Sequence, residues 1–231
     1  MGTLLATGLV SDEVRDLYDY DELRCVTQAI MIVAHVARST LVLGGSQSVS
    51  VVNESTLSGT PLCRRRGGGG LVLLRPADLW VDWWIPRDDP RWSGDVHVSS
   101  VRAGRWWAEQ LVHLVTGDIE VYAGPLDGDA RHRDVCFAGR GPGEVMVNGR
   151  KAVGVTQWRI REGTLVSTVL HASGTSEVAN YLVTVPDGLH QRLDHQTLGT
   201  LDLGHGDGVL QGLGSDTGCW VRRTVFVSTI D

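Results

Sequence analysis

The chain has 231 residues, 42% hydrophobic and 21% charged, which is an ordinary globular composition and long enough for one domain to bury a core without disulfides or metals. Its 21 basic and 27 acidic side chains leave a formal net charge of −6, which argues against a general nucleic-acid binder held by phosphate contacts. The longest apolar run, Ala29 to Ala37, is interrupted by His35 and falls well short of the roughly 18 to 20 residues that a membrane span needs. The first residues carry no basic segment or small-residue cleavage pattern, and the four cysteines (Cys25, Cys63, Cys136, Cys219) have no CxxC spacing. Free thiols in a reducing cytoplasm are the expectation.

In chain order, residues 11 to 38 read as a helix, with Leu23, Val26, Ile30, Val33 and Ala37 at 3.6-residue spacing. Thr40 to Leu43 reads as a strand ending at Gly44-Gly45. Pro61 to Arg65 and Leu71 to Leu74 read as short strands joined through Gly67 to Gly70. Leu79 to Ile85 is apolar on both alternating faces, the pattern of a strand covered on both sides. Asp95 to Thr116 predicts a second helix whose inward face carries Val98, Val101, Ala108, Leu111 and Val115. Ile119 to Ala123 and Arg133 to Phe137 read as strands. Asn148-Gly149 predicts a type I′ hairpin between Glu144 to Val147 and Lys151 to Ile160. Thr164 to Leu170 predicts a strand, Ser173 to Leu182 a capped helix, Gly204 to Gly218 loops, and Cys219 to Val227 a last strand. The sum is an α+β fold: a single domain over residues 1–231 with a mixed β-sheet flanked by helices, and a less patterned C-terminal extension over 187–231.

Two segments carry chemistry. Arg64-Arg65-Arg66-Gly67-Gly68-Gly69-Gly70 places guanidinium groups before a glycine loop whose N–H groups are suited to cradling an anion. It is not a P-loop, because no GK[ST] closes it. The three arginines cannot all face one ligand, since successive side chains on a strand alternate. The other segment, Cys136 to Gln157, gathers a thiol, the carboxylate Glu144 and Lys151 around one hairpin, with Glu144 and Lys151 on opposite arms. Lys151 stands out because it is the chain's single lysine beside 20 arginines. Arginine replaces lysine on a solvated face, but not where a compact point charge is required. The eight tryptophans read as core, one or two of them lining an apolar pocket. His190 and His195 read as surface residues. No GxSxG elbow, Rossmann glycine pattern or paired-histidine metal motif is present.

The RRxxGGG run, the apolar strand and helix after it, and the hairpin NGRKxxGxxQ (Asn148 to Gln157) together resemble the lipoate–protein ligase family, within the biotin/lipoate ligase and octanoyltransferase superfamily. The likeness covers roughly residues 40 to 186. The Trp80 to Trp92 stretch and CFAGxGPGEV are similar to an Arg-rich bacterial branch. The resemblance implies that lipoate or octanoate is activated with ATP and Mg²⁺ as an acyl-adenylate and passed to a lysine of a lipoyl-carrier domain. It implies roles for Arg64 and Arg65 near the adenylate, and for Gly68, Gly69 and Gly70 over the acyl chain and phosphate. Lys151 falls at the activated carboxyl, Gly154 and Gln157 complete the hairpin motif, and Glu144 is the candidate magnesium ligand. Physics supports the lysine: an ammonium beside a mixed anhydride stabilises the charge that develops there.

The sequence also departs from the family pattern. Gly67 stands where a Ser or Thr precedes the glycines, Gly143-Glu144 replaces an Asn-Asp pair, and Ser167-Thr168 replaces a His-Gly. The separate C-terminal accessory domain of larger ligases has no counterpart here, which makes an accessory subunit one candidate partner. Cys136-Phe137 is similar to the nucleophilic cysteine of one octanoyltransferase branch, so an ATP-independent transferase acting through Cys136 is the alternative. A binding protein that kept the pocket without turnover is a further one.

Overall fold

A computed structural model describes residues 14–36 and 38–199 and the backbone of 221–227. Among these, fourteen elements follow in order: β1 (Arg15–Asp16), α1 (Tyr20–Arg24), β2 (Ile30–Val36), β3 (Thr40–Leu43), β4 (Leu62–Arg64), β5 (Val72–Leu74), β6 (Leu79–Pro86), α2 (Val96–Leu111), β7 (Ile119–Val121), β8 (Val145–Val147), β9 (Arg150–Arg159), β10 (Gly163–Leu170), α3 (Leu189–Gln196) and β11 (Val221–Val227). A seven-stranded sheet runs β11-β2-β6-β10-β9-β8-β7, and a four-stranded sheet runs β1-β4-β3-β5. Both are mixed: β11 lies parallel to β2, and β4 lies parallel to β1 and β3, while the other pairs are antiparallel.

The large sheet is buried on both faces, as the doubly apolar pattern of β6 predicts. One face carries Ile30, Ile32, Trp80, Trp84, Leu165 and Val169, and packs with Leu41, Leu43 and Leu71 to Leu74 of the small sheet's region. The opposite face carries Met31, Val33, Val81, Trp83 and Val166 and packs with Trp107 and Leu111 of α2. Three layers result: small sheet, large sheet, helix. The predicted hairpin forms, with Asn148 at φ 50° and Gly149 at φ 75°, the positive values of a type I′ turn.

Four expectations from the sequence change. In the stretch 11–38 the described helix is only α1, started by the Asp19 side chain, which accepts from the N–H groups of Asp21 and Glu22. Ile30 to Val36 is a strand instead, because an apolar run that short satisfies either period when both sides are buried. Helix α2 buries Leu111 as expected, and Val115 packs against the same core, but the rest of its inner face differs. Ser99, Ser100, Ala103, Gly104, Trp107 and Leu111 are buried, while Val98 and Val112 are exposed. Small residues there let the helix axis approach the chain at Gly143: a Cβ on Gly104 would lie 2.1 Å from the Gly143 carbonyl oxygen. Arg133 to Phe137 is not a strand but a single bridge, Val135 to Leu71, followed by a 3₁₀ turn at Cys136–Ala138. Ser176–Tyr181 is likewise a 3₁₀ turn and has no side-chain cap. The expected loops at 204–218, and Cys219 and Trp220, lie outside the described residues, whereas the last strand is present as β11.

A polar row crosses the otherwise apolar face of the large sheet. Asp82 on β6 is in register with Ser167 on β10, which is in register with Thr156 on β9. The Asp82 carboxylate accepts from Trp80 Nε1 (2.6 Å), Ser167 Oγ (2.7 Å), the Thr168 amide (3.0 Å) and the Tyr18 hydroxyl. Burial pushes this carboxyl from its ordinary 3.8 up to about 7, although all four hydrogen bonds favour the anion.

Two outcomes follow. Gly104→Ala should destabilise the fold by about 1–3 kcal/mol despite alanine's better helix propensity. Denaturant unfolding checks this, and an unchanged midpoint refutes the close approach. For Asp82, the folded chain holds a proton that the unfolded chain has released between its ordinary value and about 7. Its contribution to stability is therefore largest at low pH and declines as pH rises to about 7, with a slope of at most about 1.4 kcal/mol per pH unit. The stability difference between wild type and Asp82→Asn should follow that slope over this window. A difference independent of pH refutes it.

Candidate functional site

The three consecutive arginines take three separate partners. Arg64 donates Nη1 to the carbonyls of Gly44 (3.0 Å) and Gln47 (2.6 Å) and so holds the turn after β3. Arg66 pairs with Asp16 at 2.5 Å and lies 5.3 Å from the Tyr20 ring centre. Arg65 points inward and is 7% exposed. Its Nη2 donates to the carbonyls of Gly68 (2.8 Å) and Gly70 (2.7 Å), and its Nη1 to that of Val42 (3.3 Å). Among the described residues it has no carboxylate partner. Burial pulls its pKa below the usual guanidinium value, with Cys136 and Tyr20 acting the other way. Because the carbonyls of Gly68 and Gly70 are turned to Arg65, the conformation of the glycine loop is fixed by that side chain. The amides of Gly68, Gly69 and Gly70 donate to no protein acceptor among the described residues.

The hairpin builds the second half. Lys151 Nζ lies 2.6 Å from Glu144 Oε1, and both side chains are nearly fully buried. The same ammonium donates to the carbonyls of Cys136 (3.0 Å) and Gly139 (3.0 Å) and stands 4.6 Å from the Phe137 ring centre. Glu144 Oε2 accepts from the Gly141 amide at 2.7 Å. Burial raises the Glu144 pKa, opposed by Lys151 and by the amides of Gly141 and Val155. The pair thus anchors the Cys136–Ala138 turn from behind. Gly154 lies under Phe137, where a Cβ would come within 2.9 Å of the ring. Gln157 donates to Val96 O (2.7 Å) and Ser100 Oγ (2.6 Å), tying β9 to the first turn of α2.

Two cavities meet between these halves. A cleft of about 590 Å³, within the usual range for ligand pockets, is lined by Gly68, Gly69, Gly70, Glu144 and Gln157. A narrow apolar cavity of only about 50 Å³ is walled by Val42, Val72, Leu74, Trp80, Phe137 and Val169, with Arg65 and Gly154 on its lining. Cys136, Val155 and Thr156 line both, so the half-buried free thiol of Cys136 stands at the junction.

The structure therefore brings Arg65, Gly68, Gly69, Gly70, Cys136, Glu144, Gly154 and Gln157 to the two cavities. Arg64 is turned to the Gly44–Gln47 segment instead. Lys151 sits behind the Cys136 turn and lines a separate cavity with Arg140 and Arg192. Both Glu144 oxygens are engaged by protein groups, and among the described residues no cluster of three His, Cys, Asp or Glu side chains forms a metal site. The residues present do not fit a magnesium ion. The sequence reading missed the Gly68 and Gly70 carbonyls as the partners of Arg65, and it missed Ser100 and Val96. No local pattern marks these, because they depend on where α2 meets β9.

No protein-family model matches the chain, and no curated protein matches it by sequence. Solved structures do match by shape. A lipoate–protein ligase A bound with ATP superposes with a TM-score of 0.60 at 17% identity, over 89% of this chain and 82% of that one. Protein Ta0514 from T. acidophilum, with bound lipoic acid, gives 0.58 at 16% identity, covering 89% and 82%. A bi-partite lipoate protein ligase from Thermoplasma acidophilum, described with its E2 lipoyl domain, gives 0.60 at 16% identity, covering 89% and 80%. The chain has the fold of the lipoate–protein ligase catalytic domain.

Proposed function

We propose that this chain is a lipoate–protein ligase-like enzyme that joins lipoate or octanoate to AMP and passes the acyl group to a lysine of a lipoyl-carrier domain. The observation that carries the reading is the junction: a cleft that carries the Gly68 to Gly70 backbone, Glu144 and Gln157 shares Cys136, Val155 and Thr156 with a narrow, almost wholly apolar cavity. An acyl-adenylate has that same division, with a polar nucleotide on one side of the mixed anhydride and an apolar chain on the other. The resemblance of the RRxxGGG and NGRKxxGxxQ motifs, and the neighbours described with ATP, lipoic acid or a lipoyl domain, point the same way.

In this reading a substrate carboxylate oxygen attacks the α-phosphorus of ATP and pyrophosphate leaves. The carrier's lysine amine then attacks the acyl carbon and AMP leaves. The unpaired amides of Gly68 to Gly70 hold phosphate oxygens, and Arg65 keeps them in place while supplying positive charge beside the reacting carboxyl. Lys151 positions the Cys136 turn. It reaches a ligand only by exchanging one of its carbonyl partners for a carboxylate or phosphate oxygen.

One observation favours a second reading. The Cys136 thiol is at the cavity junction, where an acyl group enters. Its thiolate would attack an acyl-carrier thioester, releasing the carrier thiol and forming an acyl-cysteine that the acceptor lysine cleaves, with no ATP consumed. The two readings part on Cys136→Ser. For the ligase, ATP-dependent acylation of a lipoyl domain, followed by intact mass, should persist in this variant. For the transferase, the wild type should acylate the domain from an octanoyl-carrier donor without ATP and carry a mass adduct that Cys136→Ser lacks. Acylation by neither route leaves a binding protein.

Arg65→Lys should lower kcat/KM for transfer by at least about tenfold, or about 1.4 kcal/mol, because an ammonium cannot hold the Val42, Gly68 and Gly70 carbonyls together. Arg66→Lys, on the outer side with Asp16, should lose much less. Equal losses in steady-state assays would refute the inward role of Arg65.

A further inference from the structure

The apolar cavity has hydroxyl groups in its wall. Ser167 and Thr156 are cross-strand neighbours on β10 and β9, both half-buried, and both line that cavity. A hydroxyl has one proton to give and two lone pairs. The Ser167 proton is committed to Asp82 Oδ2 (2.7 Å), and the Thr156 proton to the Gly68 carbonyl (2.9 Å). The third hydroxyl at the cavity, that of Thr168, donates to the Val81 carbonyl and accepts from Trp107 Nε1, a residue of the helix side of the sheet, so it is spent there. What remains toward the cavity is a pair of acceptors on adjacent strands, whose backbones lie about 4.8 Å apart. A wall meant for a plain hydrocarbon chain gains nothing from such groups, since burying an oxygen against methylenes forfeits its hydrogen bonds with water.

We infer that this cavity selects an acyl chain that carries a hydrogen-bond donor, a hydroxyl or amide N–H, on its carboxyl-proximal half, with Ser167 Oγ and Thr156 Oγ1 as the receiving atoms. The inference rests on the reading of the cavity as the acyl site. The proximal position follows from Thr156, which also lines the cleft and so marks the mouth, and from Ser167, one strand farther in. Asp82 acts through Ser167: its buried carboxylate takes the Ser167 proton and fixes the hydroxyl as an acceptor. Ser167 is thus a specificity residue, and Asp82 a positioning residue.

Calorimetric titration of the full chain with octanoate and with octanoates hydroxylated in the half nearest the carboxyl tests this, at a pH above the one where Asp82 ionises. A hydroxylated acid should bind about tenfold more tightly than octanoate, the worth of one well-made hydrogen bond. Ser167→Ala should abolish that ratio, and Ser167→Thr, which keeps the hydroxyl, should restore most of it. Equal affinities in the wild type overturn the inference, as does a preference that survives Ser167→Ala. If Ser167→Ala does not fold, Ser167→Cys, which keeps the size but whose sulfur is a weak acceptor, takes its place: loss of the ratio supports the inference and its survival overturns it. If octanoate and the hydroxylated acids all fail to bind, the acyl-site reading itself fails, an outcome distinct from octanoate binding without discrimination.

Discussion

A guanidinium buried without a carboxylate is the constraint around which the site is arranged. Taking a charge out of water is expensive, and a protein usually offsets that cost with an opposite charge. Among the described residues Arg65 is met by no carboxylate but by backbone carbonyls, from Val42 on one side and from Gly68 and Gly70 on the other. Three carbonyls converge on one planar fork only if the loop curls around it. The loop's shape and the unpaired state of its amides among the described residues therefore have a single cause.

The Glu144–Lys151 pair solves the opposite problem. Here both charges are buried together, and the surplus donors of the ammonium go to the carbonyls of Cys136 and Gly139. The hairpin is rigid, so it transmits its position to the turn that carries the thiol. Phe137 extends the chain of contacts: it lies over Gly154, beside Lys151, and edge-on to His171, with ring centres 4.5 Å apart. His171 is held in turn by Asp78 at 2.9 Å. From the hairpin to the end of β10, the floor of the site is one connected set of buried polar and aromatic contacts.

Much of this was legible before any coordinates, and the reasons differ. Strand β6 could be read because both its faces are apolar over eight residues, and the hairpin because Asn-Gly fixes both register and turn. The hairpin put Glu144 and Lys151 on opposite arms, although its register pairs Lys151 with Met146, and strand alternation implied only that the three arginines could not all face one ligand. Ile30 to Val36 was misread because a run buried on both faces has no period to detect. The inner face of α2 was misread because its closest approach uses serine and glycine, which hydrophobicity does not mark. Asp82 and Ser167 went unremarked as a pair because they lie 85 positions apart and meet only through the register of β6 and β10.

The sheet order carries one more consequence. Strand β2, among the first elements of the chain, lies between β6 and the parallel strand β11, which is among the last, with Ile30 opposite Val221. A ribosome releases these two strands at opposite ends of synthesis. Until the second emerges, β2 has one row of backbone donors and acceptors without a partner, the kind of open margin on which nascent chains mispair. Strands β8 to β10, by contrast, pair with their immediate neighbours in sequence, contacts that form with little chain-closure entropy.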